Sequence, residues 1–85
     1  MTIELKIVNY LDEYLISDKM AIALFNQIKN ISDEKIIFDF TDVKHITPDF
    51  ATQYVFIREN MAKNIEEINL TEEQKAIFMI AKIEL

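Results

Sequence analysis

The chain begins with an alternation of apolar and charged side chains. Ile3, Leu5 and Ile7 are separated by Glu4 and Lys6. Strict alternation is typical of a half-buried strand, so this segment predicts a first strand with one apolar face. The following residues, 10–16, fit either a short second strand or a direct lead into a helix, and the pattern leaves this choice open.

A helical period follows. Four apolar residues recur at i, i+3, i+4 and i+7, which places them on one helical face: Ala21, Leu24, Phe25 and Ile28. Ser17 suits the N-cap, and Asp18 in the first turn complements the positive end of the helix dipole. The pattern predicts a helix over residues 18–30.

The segment KIIFDF, residues 35–40, predicts the next strand. Ile36, Phe38 and Phe40 share one face of it, and Ile37 and Asp39 share the other. The alternation is again that of a strand with one buried face.

A helix start comes next in the chain. Thr47 suits an N-cap, Pro48 suits the first helical position because its missing N–H has no partner there, and Asp49 complements the dipole. We expect this helix to run to about Lys63. Its predicted buried stripe consists of Phe50, Tyr54, Ile57 and Met61.

The segment IEEINL, residues 65–70, predicts a third strand with Ile68 and Leu70 inward. Thr71, followed three residues later by Gln74, has the spacing of a capping box. A third helix is therefore expected through most of the remaining chain.

The predicted order is β, α, β, α, β, α in one domain over residues 1–85. Strands joined by helices of this length pair in parallel through right-handed crossovers. Each strand also has a polar face, formed by Glu4 and Lys6, by Asp39, and by Glu67 and Asn69. We therefore predict a small α/β domain whose mixed or parallel sheet packs its helices mainly on one face.

Composition excludes several classes of function. The net charge of -6 argues against binding a phosphate backbone, which requires clustered Lys and Arg. No apolar run reaches the roughly 20 residues of a membrane helix, and no secretory signal pattern is present, so we expect a cytoplasmic protein. The chain has no glycine and no cysteine, which excludes the usual phosphate-binding loops and thiol nucleophiles.

The segment FDFTDVKHITPDFATQYV, residues 38–55, resembles the central signature of STAS domains, the fold of sulfate-transporter tails and anti-sigma-factor antagonists. It resembles more closely the STAS-like domain family of unassigned function. That family's helix-starting serine, strand aspartate, Phe-Ala helix start and final asparagine correspond here to Ser17, Asp39, Phe50 with Ala51, and Asn69. The resemblance covers nearly the whole chain and implies a STAS-like α/β fold.

The chain departs from this family at charged positions. Asp18 stands in place of an arginine, and Thr52 and Gln53 stand in place of an Asp-Glu pair. Asp49 occupies the place of the serine that is phosphorylated in the anti-sigma antagonists. Asp49 could therefore act as a permanent mimic of the phosphorylated state, or it could only stabilise the helix dipole. Thr47 could be phosphorylated or could serve only as a cap.

The loop before this helix carries the candidate chemistry. Asp39, Asp42 and Asp49 could converge near the end of the second strand, where open α/β sheets bind ligands, and carboxylate oxygens suit Mg²⁺. Alternatively, the three side chains serve separately in the strand, the turn and the helix start. His45 in the same loop is either a base or ligand, or a surface residue.

Two aromatic residues fall on otherwise polar helical faces. Phe56 projects among Thr52, Glu59, Asn60 and Lys63, and Phe78 projects among Gln74, Lys75 and Lys82. Large aromatics in such places are typical anchors for a partner protein. The alternative is that another part of the chain covers them.

Two functional hypotheses remain. The first is a non-catalytic regulatory module that uses no cofactor or metal and docks on a protein partner through the loop and helix near Thr47. As the resemblance implies, the partner would be a kinase-like ATPase or another switch protein, and a homodimer is possible. Its expected contact residues are Asp42, His45, Thr47, Asp49, Phe56 and Phe78. The second is a small Mg²⁺-dependent enzyme that uses Asp39, Asp42 and Asp49.

Overall fold

A computed structural model describes all residues, 1–85. Strands and helices alternate along the chain: β1 (Thr2–Lys6), β2 (Tyr14–Leu15), α1 (Asp18–Ile28), β3 (Lys35–Asp39), β4 (His45–Ile46), α2 (Pro48–Glu59), β5 (Asn64–Ile68) and α3 (Glu72–Ile83). A single 3₁₀ turn, Ile7–Asn9, ends the first strand. No helix is both long enough and apolar enough to cross a membrane.

The main sheet has three strands in the order β1-β3-β5, and both pairs are parallel. Each crossover passes through one helix, and α2 packs against both α1 and α3. The helices cover one face of the sheet, so the predicted α/β fold is confirmed, with a parallel sheet. β2 and β4 form a separate small parallel pair. The segment 10–16 therefore contains a short strand, which the sequence pattern left open.

All three predicted helix caps are present. The Ser17 hydroxyl accepts a hydrogen bond from the Met20 amide at 3.3 Å, and the Thr47 hydroxyl accepts one from the Phe50 amide at 3.3 Å. At the start of α3, Thr71 and Gln74 form the predicted capping box. Because amides of the first turn lack intrahelical acceptors, these side chains fix where each helix begins.

An aromatic cluster forms the centre of the core. Tyr54 on α2 is fully buried, and its ring lies within 6.2 Å, centroid to centroid, of five phenylalanine rings: Phe25, Phe38, Phe40, Phe50 and Phe78. Such pairs contribute about 0.5–1.5 kcal/mol each beyond the apolar area they bury. The cluster joins all three helices to β3 and to the residue that follows it.

β5 faces the core differently from the prediction. Glu67 aligns with Phe38 in the sheet register and therefore points to the helix side. There the Tyr54 hydroxyl donates a hydrogen bond to it at 2.7 Å, and the Arg58 guanidinium donates another at 2.9 Å. Ile68 aligns with Asp39 on the open face. The prediction of Ile68 inward and Glu67 outward was wrong, because partners on α2 satisfy the inward carboxylate.

Two helices are shorter than predicted. α1 ends at Ile28 rather than residue 30, and α2 ends at Glu59 rather than Lys63. The fully buried stripe of α2 consists of Phe50, Ala51, Tyr54 and Val55, whereas Ile57 and Met61 are only partly buried. The stripe is rotated from the prediction because α2 packs against helices on both sides, so its buried arc is broad.

We predict that Tyr54→Phe reduces the loss of stability above pH 10. Burial and then the neighbouring Glu67 carboxylate raise the pKa of Tyr54 well above its usual value. Above pH 10 the unfolded chain loses the tyrosine proton and the folded chain keeps it, so the free energy of unfolding falls by up to about 1.4 kcal/mol per pH unit. Urea denaturation between pH 8 and pH 11, an interval set by that usual pKa of about 10, measures this slope.

Tyr14→Phe is the control for this experiment, because Tyr14 is half exposed and lies outside the aromatic cluster. Its slope should match that of the parent protein. Equal slopes for the parent protein and Tyr54→Phe would contradict the prediction.

Candidate functional site

A polar cluster closes the carboxyl edge of the sheet. One carboxylate oxygen of Asp39 accepts hydrogen bonds from the Thr41 hydroxyl at 2.6 Å, the Thr41 amide at 2.9 Å and the Asn69 side-chain amide at 2.9 Å. The Thr41 hydroxyl and then the Asn69 amide lower the pKa of Asp39 below its usual value. The carboxylate is therefore held ionised and serves to join the ends of β3 and β5.

The adjoining turns use left-handed backbone without glycine. Asp42 has φ 70° and Asn69 has φ 61°, a region that aspartate and asparagine tolerate better than most residues. The exposed Asp42 carboxylate also lies 3.0 Å from the ammonium group of Lys6 at the end of β1. These side chains close turns and connect strand ends.

The three aspartates of the alternative hypothesis do not form a common site. Asp39 bonds to Thr41 and Asn69, and Asp42 pairs with Lys6. Asp49 lies elsewhere, on α2. No group of three His, Asp or Glu side chains is placed to hold a metal ion. Of the two interpretations that the sequence left open, the structure agrees with separate roles in the strand, the turn and the helix start, because β4 and the start of α2 carry Asp49 away from the end of β3.

An open acidic cleft lies between the starts of α1 and α2. It has a volume of about 370 Å³ and is lined by Asp18, Asp49, Thr52 and Gln53. Packing of α1 against α2 brings them together, although 31 positions separate Asp18 from Asp49. The cleft presents two carboxylates to solvent and contains no nucleophile paired with a base.

His45 and Thr47 come shortly before Asp49 in the chain, and their side chains have different surroundings. His45 is exposed on β4, aligned with Tyr14 of β2. The Thr47 hydroxyl accepts from the Phe50 amide and donates to the Leu15 carbonyl at 3.4 Å. The predicted capping role of Thr47 is therefore confirmed, and the same hydroxyl connects α2 to β2.

The two predicted aromatic anchors differ in burial. Phe56 is 53% exposed, whereas Phe78 is only 6% exposed. The Phe78 ring lies 5.7 Å from that of Phe40 and 5.0 Å from that of Tyr54. The prediction of Phe78 as a partner contact was wrong, because α3 packs this side of itself onto α2 and the end of β3. The neighbouring Gln74 is also buried and donates to the Val43 carbonyl.

Helix geometry places Phe56 on the outer side of α2. At 100° per residue, Asp49, Thr52 and Phe56 fall on one side, opposite the buried stripe around Tyr54. Gln53 lies next to them, toward α1. We call Asp49, Thr52, Gln53 and Phe56 the α2 face. It combines one large exposed aromatic ring with the acidic cleft.

Sequence reasoning missed a groove between α2 and α3. It is lined by Pro48, Thr52, Ile77, Ile80, Ala81 and Glu84. The sequence carried a signal beside the groove, since Ala76, Met79, Ile80 and Ile83 of α3 recur at i, i+3, i+4 and i+7, the spacing of one apolar face, and Ile80 of this face lines the groove. This is a second apolar stripe, distinct from the buried side of α3 that carries Phe78.

We predict that Asn69→Gly is more stable than Asn69→Ala by about 1 kcal/mol. Both changes remove the amide that bonds to Asp39, but only alanine strains the left-handed backbone. Urea denaturation measures the difference. Asn26 is the control because it is exposed within α1, where alanine should be the more stable replacement by about 1 kcal/mol. The same order at both positions would contradict the prediction.

Comparison with known proteins finds no relative of this chain. No family model, no curated protein and no solved structure matches this chain.

Proposed function

We propose that this protein is a non-catalytic regulatory module of STAS-like type that binds a protein partner through the α2 face and the loop before it. The observation that carries the proposal is the exposure of Phe56 beside an acidic cleft. The partner belongs to the class that the resemblance implies, a kinase-like ATPase or another switch protein.

Phe56 supplies the anchor of this surface. Slightly more than half of its side chain is exposed, so it can enter a pocket on a partner without unfolding any part of the domain. Buried aromatic side chains at the centre of an interface contribute much of the binding energy. The surrounding Thr52 and Gln53 are polar, as the rim of an interface commonly is.

The acidic cleft supplies the negative charge of the proposed docking surface. Asp18 and Asp49 form no ion pair within the chain, so both carboxylates are available to a partner. Asp49 stands where the resemblance places a phosphorylated serine, and its charge is permanent. The proposed module therefore binds without prior phosphorylation, and the Asp49 carboxylate takes the part of the phosphate.

The remaining candidate chemistry of the loop supports a non-catalytic role. The Asp39 carboxylate accepts hydrogen bonds from Thr41 and Asn69, and the Asp42 carboxylate forms an ion pair with Lys6. The exposed His45 has no hydrogen-bonded side chain that would orient it as a base. Asp39 and Asp42 stabilise turns, and the exposed Asp42 and His45 can also contribute to the edge of the interface.

We predict that Asp49→Ser and Phe56→Ala both weaken binding to the regulatory partner. Phe56→Ala should cost about 2 kcal/mol or more, as expected for a central aromatic anchor. Asp49→Ser removes the fixed charge from the cleft but should change the free energy of unfolding by less than about 1 kcal/mol. Titration calorimetry at fixed salt, against a purified partner, measures both affinities.

Glu72→Ser is the matched control. Glu72 also lies in the first turn of a helix, α3, and is 92% exposed in its side chain, so the change removes the same charge from another surface. It should bind like the parent protein. If Asp49→Ser, Phe56→Ala and Glu72→Ser all bind like the parent, the α2 face is not the docking surface.

A further inference from the structure

The groove between α2 and α3 has aliphatic walls and an open side. Its volume is about 70 Å³, and three of its lining residues are Ile77, Ile80 and Ala81 of α3. Across from them lie Pro48 and Thr52 of α2. The groove can therefore receive one short aliphatic side chain.

The surface beside the groove is also apolar. Met79, Ile80 and Ile83 on the outer side of α3 are 64%, 56% and 75% exposed. α3 is therefore apolar on its buried side and on part of its solvent side, a pattern more typical of a helix that is covered all round. Contiguous exposed apolar side chains of this kind mark interaction sites.

Charge at the groove has one sign. Glu73, Ile77, Ile80 and Glu84 follow one another at i, i+4, i+7 and i+11, so they form a single stripe along α3 with a carboxylate at each end. Neither Glu73 nor Glu84 forms an ion pair, whereas both lysines of α3 are paired, Lys75 with Glu72 and Lys82 with Glu59, each at 3.3 Å. The uncompensated charge of the stripe is therefore negative.

We propose that the α2–α3 groove binds a basic amphipathic helix of the partner. Two apolar side chains of that helix, three or four residues apart, lie over Ile77 and Ile80. Lysine or arginine residues about three turns apart, spanning about 16 Å, meet Glu73 and Glu84. This inference rests on the proposed function and names the chemistry of its partner, because Thr52 belongs to both the groove and the α2 face.

The charges disfavour a second copy of this chain as the occupant. Two copies placed groove to groove would bring the Glu73 and Glu84 carboxylates of one copy against those of the other. Each copy also carries a net charge of -6. Such like-charge contacts are strongly unfavourable at an interface, whereas a basic helix neutralises both ends of the stripe.

The test uses a labelled helical peptide of about 18 residues on an alanine-rich frame. Its leucines are placed to contact Ile77 and Ile80, and its lysines are placed to meet Glu73 and Glu84. A twin peptide carries glutamate in place of each lysine. Fluorescence anisotropy at fixed low salt should show binding of the lysine peptide and none of the glutamate twin.

Variants of the protein locate the binding. Ile80→Ser should weaken binding of the lysine peptide about tenfold or more, and Glu84→Gln should weaken it about twofold to fivefold. Ile16→Ser is the matched control, because Ile16 is 55% exposed and Ile80 is 56% exposed. It should bind like the parent protein. Circular dichroism on each variant verifies that the fold is retained.

Several outcomes would overturn the inference. The lysine peptide could fail to bind, the glutamate twin could bind equally well, or Ile80→Ser and Ile16→Ser could behave alike. Sedimentation that shows a dimer of the parent protein, lost in Ile80→Ser, would identify a second copy as the occupant instead.

The same variants distinguish a failure of the proposed function from a failure of the groove inference. If Phe56→Ala and Asp49→Ser reduce binding of the regulatory partner while Ile80→Ser does not, the groove inference is wrong and the proposed function stands. If only Ile80→Ser reduces it, the α2 face is not the docking surface.

Discussion

Helix packing around the buried Tyr54, together with its hydrogen bond to Glu67, sets how α2 is rotated about its axis, and the proposed docking surfaces depend on that rotation. The tyrosine ring fills the centre of the core, and its hydroxyl donates to the carboxylate on β5. Arg58, one helical turn later, donates to the same carboxylate. With these two side chains held inward, helix geometry requires Asp49 and Phe56 to point outward. The inward-facing Glu67, bonded by both Tyr54 and Arg58, thus helps to decide which side of α2 faces solvent.

The chain forms its turns without glycine, and this constrains its polar residues. Asp42 and Asn69 adopt left-handed backbone that glycine commonly provides. Asp39 then holds the two strand ends together through Thr41 and Asn69. The polar side chains at the carboxyl edge of the sheet, where ligands bind in many open α/β folds, are therefore engaged in structure. The unpaired carboxylates of Asp18 and Asp49 lie instead on the helices.

The free surfaces adjoin one another at Thr52. This residue lines the acidic cleft toward α1 and the apolar groove toward α3. Phe56 follows it by one helical turn on the same side of α2. A partner that covers Phe56 would therefore reach the cleft and the groove together. Acidic charge and apolar contact lie next to each other, an arrangement suited to a partner with basic and apolar side chains.

The sequence by itself determined the three helices with their starts and the three strands of the main sheet, whereas β2 was left open and β4 was not predicted. The N-caps Ser17, Thr47 and Thr71, the buried face of α1 and the apolar face of β3 were all predicted correctly, because capping and periodicity depend on residues within a turn or two. Only the tertiary structure decided that Glu67 faces the core and that Phe56 is exposed while Phe78 is buried. Both phenylalanines fall on polar helical faces, and only packing of α3 against α2 distinguishes them. Likewise, the positions of the aspartates followed from loop paths and partners distant in sequence, which local patterns do not encode.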